Sequence, residues 1–285
     1  MKVLFISDFG LKHNSGGAQV SNDEIIKEGE KMGYDIILHN FDSSPVDFLQ
    51  SFDVVVSSNL EAINQLSPEK IDYISNHDFH VRLEHDSCSY LTESVREELF
   101  RSSKINFFLS EFHLSFFTEF YGNIFENVEF LPDPIDSFIF NIDKNKDKIY
   151  DIIYCGFLHP LKGFNNLIEY AKNNSDRKFD IFGWSENGIE QNFKNIDNIR
   201  FHGKVDQKEI AEIYQSSIGV FHHPLVNEPF CRMIGESIMC GINDFHGDMS
   251  RIGSYLEYKK NGLKNFSKEC SLAKSNFWKK IENKL

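Results

Sequence analysis

Short apolar runs alternate with amphipathic stretches along most of the chain. Met1-Lys-Val-Leu-Phe-Ile-Ser-Asp8 is apolar enough for a strand buried on both faces. The amphipathic stretch from Ala18 to Met32 reads as a helix ended by Gly33. Further strands are expected at Tyr34 to Asn40, Phe52 to Ser58, Phe79 to Asp86, Ile105 to Ser110 and Val128 to Pro132. The alternation resumes with a strand at Asp151 to Leu158, a helix from Phe164 to Asn173 and a strand at Phe179 to Trp184. A strand closing on Gly203 follows. Asp206 is then placed as the N-cap of a helix running to Tyr214, with Glu209 at the capping-box position. Ser217 to Pro224 is the next strand. Strands alternating with helices predict parallel sheets and an α/β class.

Leu131-Pro-Asp-Pro-Ile-Asp136 holds two prolines around an acid, and a charged run from Asn141 to Lys148 follows it. A rigid turn leading into a solvated linker marks a domain boundary. Asp133 and Asp136 are expected to cap that turn.

The chemistry-bearing stretch is Glu228-Pro-Phe-Cys-Arg-Met-Ile-Gly-Glu236, continuing to Gly241. Pro229 suits a first helical position and Gly241 a helix end. That places Glu228 in the entering loop and Glu236 about two turns in. Unpaired N–H groups and partial positive charge make a helix start a seat for phosphate. Acids on either side of that seat suit the hydroxyls of two sugars flanking a diphosphate. Paired glutamates also arise by chance on solvated faces, so the pair gains weight from its context. That context is the strand, helix and strand running from Asn198 to Pro224.

This strand, helix, strand, Glu-Pro-Phe and glutamate-bearing helix resemble the donor-binding half of GT-B glycosyltransferases, specifically retaining family 4. The resemblance implies two Rossmann-like domains with parallel sheets facing across a cleft. Residues 1–136 would form the acceptor side and 137–266 the nucleotide-sugar side. The segment 267–285 would be a terminal helix crossing back, with Phe277, Trp278 and Ile281 as its packing face. It implies that Gly16 and Gly17 let the backbone approach the donor diphosphate or the acceptor, and that His85 contacts the transferred sugar. Gly156 matches the family's strand-end glycine and Lys162 the lysine that holds the diphosphate. Phe157 stands where the family has arginine, a departure for which Arg232 is the candidate replacement. Phe230 and Cys231 fall on the donor side, with Cys231 in a glycine position. Glu236 would bind ribose and Glu228 the transferred sugar, so that His85, Lys162 and Glu228 form the catalytic set.

The implied reaction is sugar transfer from a nucleotide diphosphate donor, a UDP-sugar first of all, to an acceptor hydroxyl. It would proceed with retention, without a protein nucleophile and without metal or other cofactor. The leaving diphosphate would help to take the acceptor's proton. Glycan, lipid-linked or small-molecule acceptors are expected. A phage-type DNA base acceptor, a non-catalytic nucleotide-sugar binder, and an inverting enzyme using His85 or Asp86 as base are the alternatives.

Composition narrows these classes. The formal net charge of -13 makes the surface a poor non-specific binder of DNA or anionic membrane. No apolar run is long enough to span a bilayer and no signal-peptide layout opens the chain. The 5 cysteines lack C-x-x-C spacing, which points to a reducing cytoplasm. The 28 phenylalanines are spread through the predicted elements and read as core. No Asp-x-Asp pair occurs, so a metal-diphosphate chelate is not indicated.

Overall fold

The structure, a computed structural model, describes residues 1–8, 10, 16–41, 50–87, 93–185, 188–193 and 195–285. Most of the loop from Phe9 to Ser15, Cys88, and part of the polar loop after Trp184 lie outside the described residues. The chain forms two compact units, residues 1–134 with 269–285, and residues 135–268.

In the first unit, strands β1 (Lys2–Ile6), β2 (Asp35–His39), β3 (Val54–Ser58), β4 (His80–Leu83), β5 (Ile105–Phe108) and β6 (Val128–Phe130) form one sheet in the order β2-β1-β3-β4-β5-β6. Every neighbouring pair is parallel. Helices α1 (Gly17–Lys31), α2 (Pro68–Ser75), α3 (Glu93–Ser102) and α4 (Glu111–Tyr121) connect the strands. The uniformly apolar strand sequences follow from this: Val3 to Ile6 and Val54 to Val56 are wholly buried, as strands of a parallel sheet covered on both faces must be.

The second unit repeats the plan with β7 (Tyr150–Phe157), α5 (Phe164–Asn173), β8 (Phe179–Trp184), β9 (Ile199–Gly203), α6 (Gln207–Gln215), β10 (Ser217–Phe221), α7 (Arg232–Met239) and β11 (Asp244–His246). Its sheet order is β11-β10-β7-β8-β9, again all parallel. The capping box of α6 forms as the sequence predicts, with Asp206 accepting from Glu209 N and Glu209 accepting from Asp206 N. Ile152, Tyr154, Phe164, Leu167, Ile181 and Phe221 centre this unit's core.

The last helix, α8 (Gly253–Glu282), breaks its helical geometry at Gly262, where φ is 72°. Two helices meet at that break, and the second begins only a few residues ahead of the terminal segment expected from the resemblance. Phe266, Cys270, Ala273, Phe277 and Ile281 are buried at helical spacing within a Lys-, Asn- and Ser-rich stretch. Its final turns belong to the first unit, where Phe277, Trp278 and Ile281 join the core. Trp278 Nε1 donates to the Ile25 carbonyl at 2.8 Å. A Cβ at Gly29 would meet the Trp278 ring at 2.6 Å, so α1 needs glycine there.

One turn reading is corrected. Asp136 caps its turn, accepting from Phe138 N at 2.8 Å, but Asp133 does not. Asp133 is buried and accepts from the Ser21 hydroxyl at 2.7 Å, because a carboxylate enclosed in the first unit needs a donor more than the exposed turn does.

Candidate active site

The carboxyl ends of β7, β8 and β10 set out the loops that carry the predicted residues of the second unit. Gly156 has φ +137°, and a Cβ built there meets nothing within 4 Å, so the end of β7 leaves open space over its backbone. Beside it, a Cβ on Gly183 would lie 1.9 Å from the Gly156 carbonyl oxygen, which is why β8 also exits on glycine. Phe157 occupies the expected arginine position and packs against Trp184 with ring centroids 4.5 Å apart. Lys204 lies over the other strand's Trp184, 5.8 Å from the ring centroid. An aromatic platform has therefore taken the place where a guanidinium was expected.

The turn Pro160–Lys162 opens with His159, whose side chain accepts from Leu161 N. Gly163 follows at φ +81°, and a Cβ there would fall 1.8 Å from the His223 carbonyl oxygen. On the other side, a Cβ at Gly247 would lie 2.1 Å from the His222 carbonyl oxygen. Two glycines thus allow the His222–His223 backbone to be gripped closely, and Leu225 N donates to Leu161 O at 2.8 Å in the same layer.

Glu228 N donates to the Arg251 carbonyl at 2.8 Å, and Gly253 N donates back to the Glu228 carbonyl at 3.0 Å. This short parallel bridge fixes the buried Glu228 side chain. Its Oε1 lies 3.0 Å from Lys162 Nζ and 2.8 Å from His222 Nε2. Burial alone would push the Glu228 carboxyl up, but His222 and Lys162 outweigh it and hold the group well below the usual carboxylate range. Burial likewise pulls the Lys162 ammonium down, yet Glu228 prevails and raises it. Burial, and then the Glu228 charge, push the Cys231 thiol well up, so it stays protonated and donates to Glu228. The fold brings Lys162 and Glu228, two of the candidate site residues, into direct contact, whereas His222 was not among the candidates. Its only signal was position, at the carboxyl end of β10.

The helix bearing Glu236 starts later than predicted. α7 begins at Arg232, and its N-cap is Cys231 with φ 69°. Pro229 and Phe230 are in the bridge-and-bend segment instead, because Ser254 N donates to the Phe230 carbonyl at 2.7 Å and holds it on the start of α8. Arg232 is directed along its own helix, with Nε 2.8 Å from Glu236 Oε1, and both side chains are nearly buried. The structure thus shows Arg232 engaged with Glu236.

In the first unit, Gly16 is the N-cap of α1 in extended backbone and Gly17 its first residue. His85 is buried just beyond β4, with Nε2 3.0 Å from Asn22 Oδ1 and Nδ1 3.6 Å from Asp133 Oδ1. Around it runs a polar network that sequence reasoning missed. Asn22 pairs with Ser58, Asn59 donates to Asp86 at 3.1 Å, and Arg82 donates to Glu84 at 2.6 Å. These polar residues interrupt apolar strand and helix faces, and that interruption was the available signal.

Two covered parallel sheets, each with chemistry-bearing loops beyond its strands' carboxyl ends, define the GT-B class of fold. Among solved structures, sucrose-phosphate synthase from Thermosynechococcus elongatus is similar at 11% identity, over 98% of this chain and 96% of that one, with a TM-score of 0.68. HepE from Anabaena in complex with UDP and glucose is similar at 15% identity, over 96% and 94%, with a TM-score of 0.62. An alpha-glucosyltransferase in complex with UDP and a 13-mer DNA containing a HMU base is similar at 14% identity, over 100% and 99%, with a TM-score of 0.61. More particularly, residues 135–271 match the family model for glycosyl transferases group 1, so the chain carries a group 1 glycosyltransferase domain and is an enzyme of sugar transfer. A search of the curated proteins finds no match. No helix among the described residues is long and apolar enough to cross a membrane.

Proposed function

We propose that the protein transfers a sugar from a UDP-sugar to an acceptor hydroxyl, with retention at the anomeric carbon and without a metal requirement. The observation that carries this reading is the buried Glu228 carboxylate, kept ionised between His222 and Lys162 beside the start of α7, with Glu236 one turn further in. An ionised, desolvated carboxylate is suited to accept hydrogen bonds from sugar hydroxyls. Lys162 supplies the cation for the diphosphate, and the open backbone at Gly156 supplies room for its approach. Donor binding would draw the partly exposed Lys162 from Glu228 to the phosphates, leaving His222 to hold Glu228. Stabilisation of a developing diphosphate charge by such a preorganised cation favours departure of the leaving group. Glu236 takes the ribose, with Arg232 fixing its orientation. The assignment of His85 to the transferred sugar rests on the resemblance alone.

The missing arginine is offset by what replaces it. Phe157 on Trp184 offers a half-buried stacking surface for an aromatic ring, so this region favours a base more and a phosphate less. The acceptor is a glycan, lipid-linked or small-molecule hydroxyl, since a net charge of -13 opposes DNA.

Thermal shift with UDP and with intact UDP-sugars tests the roles. At a UDP concentration of about 100 times Kd, stabilisation should approach about 2.7 kcal/mol. Glu236→Ala should weaken UDP itself, whereas Glu228→Ala should spare UDP and weaken only the intact donor. The reverse pattern, or no response to any nucleotide, rejects the assignment. Activity that disappears on treatment with EDTA rejects the metal-free reading.

A further inference from the structure

The side chains around Glu228 also form a donor set of a different kind. One ring nitrogen of His222, one carboxylate oxygen of Glu228 and Cys231 Sγ all lie within 4.8 Å of one another. Nitrogen, oxygen and sulfur ligands at such spacing suit a borderline-soft ion, and three protein ligands leave a fourth position for water. We propose that His222, Glu228 and Cys231 bind a thiophilic divalent cation, zinc first of all, and that the bound ion displaces Lys162 from Glu228.

The backbone at Cys231 supports a role for its sulfur. At φ 69° and ψ 85°, Cys231 holds a left-handed conformation that disfavours any residue with a Cβ. Glycine would take the same path without strain, so the backbone alone does not ask for a side chain here. The strained conformation instead brings the thiol onto Glu228, to which it hydrogen-bonds.

The three ligands are also held in advance. Residues 222 and 223 lie between Gly163 and Gly247, Glu228 is bridged to Ile252, and the Ser254 hydroxyl donates to the Cys231 carbonyl at 3.1 Å. Ligands fixed by their surroundings need little rearrangement to take an ion. Lys162 is the member nearest solvent, since 41% of its side chain is exposed while Glu228 is buried. An incoming dication would repel that ammonium into solvent and take over its attraction to Glu228.

The balance is simple. The ion replaces the Cys231 thiol proton, which goes to solvent. The coordinating ring nitrogen of His222 also gives up the proton it holds towards Glu228, to the other ring nitrogen or to solvent, and no group is oxidised or reduced. Metal binding stands independently of the transferase reading. Its consequence for catalysis, inhibition by zinc of an enzyme that needs no metal, rests on that reading.

Titration of the full chain with Co²⁺ in the absence of nucleotide tests the site, read by the thiolate-to-cobalt charge-transfer band and by zinc displacement calorimetry. A single equivalent with such a band is expected. Cys231→Gly, which its backbone accommodates without strain, should abolish the band while circular dichroism stays unchanged. That variant and His222→Gln should weaken zinc by about 100-fold or more, since changes behind the ligands already cost about 10–100-fold. Lys162→Gln should tighten zinc by removing the competing cation. No band, or a band that survives Cys231→Gly, overturns the site, and unchanged affinity in Lys162→Gln overturns the displacement. Because no nucleotide is present, these failures are distinct from a failure of UDP to bind.

Discussion

Buried carboxylates keep their charge only where cations or N–H groups meet them, and this chain holds examples of both outcomes. Burial would raise Glu84, but the Arg82 guanidinium at 2.6 Å and Arg96 at 3.7 Å lower it to about 2. Asp8 has the opposite fate. Burial raises it to about 6, only partly opposed by the N–H of Ala62, with Asp86 and Glu61 adding to the rise. A carboxyl with a raised folded value binds its proton more tightly when folded, so stability from this group is lost as pH rises from about 4 to about 6. Asp8→Asn keeps an oxygen for Ala62 N and removes the titration. It should therefore raise stability at pH 8 by up to about 3 kcal/mol and change little at pH 4, as read by denaturant unfolding at both pH values. For Glu84 the sign reverses. Its contribution is present above the usual carboxylate range and fades as pH falls towards about 2. Glu84→Gln leaves Arg82 buried without its counter-charge and should cost about 3–5 kcal/mol at neutral pH, checked in the same unfolding experiment.

At the scale of elements, most of what the sequence made legible was local chemistry. The capping box of α6 and the glycine ends of α1 and α7 follow from residues within one or two turns, and the structure has them. α7 starts at Arg232, three residues after the Pro229 that suits a first helical position. Pro229 is compatible with a first helical turn, but the bonds that hold Glu228 and Phe230 to the start of α8 come from residues 251–254, beyond the reach of a local pattern. His222 was illegible for the same reason, since its meaning depends on Gly163 and Gly247 enclosing the backbone it sits on. These contacts make a prediction. At Gly163 an added Cβ meets both positive φ and a carbonyl at 1.8 Å, whereas at Gly156 it meets positive φ alone. Gly156→Ala should cost about 1–3 kcal/mol of stability and Gly163→Ala distinctly more. Gly163→Ala should also lower sugar-transfer activity at temperatures where the variant is still folded, because Lys162 and His222 lie on either side of the displaced backbone. Equal stability losses in the two variants would show that the loop relaxes freely.

For the whole molecule, the consequence of two separate cores is two separable stabilities. The first unit closes its core with the end of the chain, where Phe277, Trp278 and Ile281 are wholly buried against strands far earlier in the sequence, Phe277 packing on Phe107 and Trp278 bonding to Ile25 of α1. The second unit's core, centred on Ile152, Tyr154, Phe164 and Phe221, includes none of these residues. Trp278→Ala removes a large buried side chain and its bond to Ile25, and should destabilise the first unit by about 3–5 kcal/mol. Each unit has its own apolar centre, so unfolding of the first need not carry the second with it. Calorimetry of Trp278→Ala should therefore show an early transition for the first unit, well separated from a later one near its wild-type temperature. UDP supplies the second half of the test. With ribose and diphosphate assigned to Glu236 and Lys162, UDP should raise the later transition and leave the early one in place. A single transition that falls as a whole in Trp278→Ala would mean that the two cores unfold as one. An early transition that rises with UDP would place a nucleotide contact in the first unit.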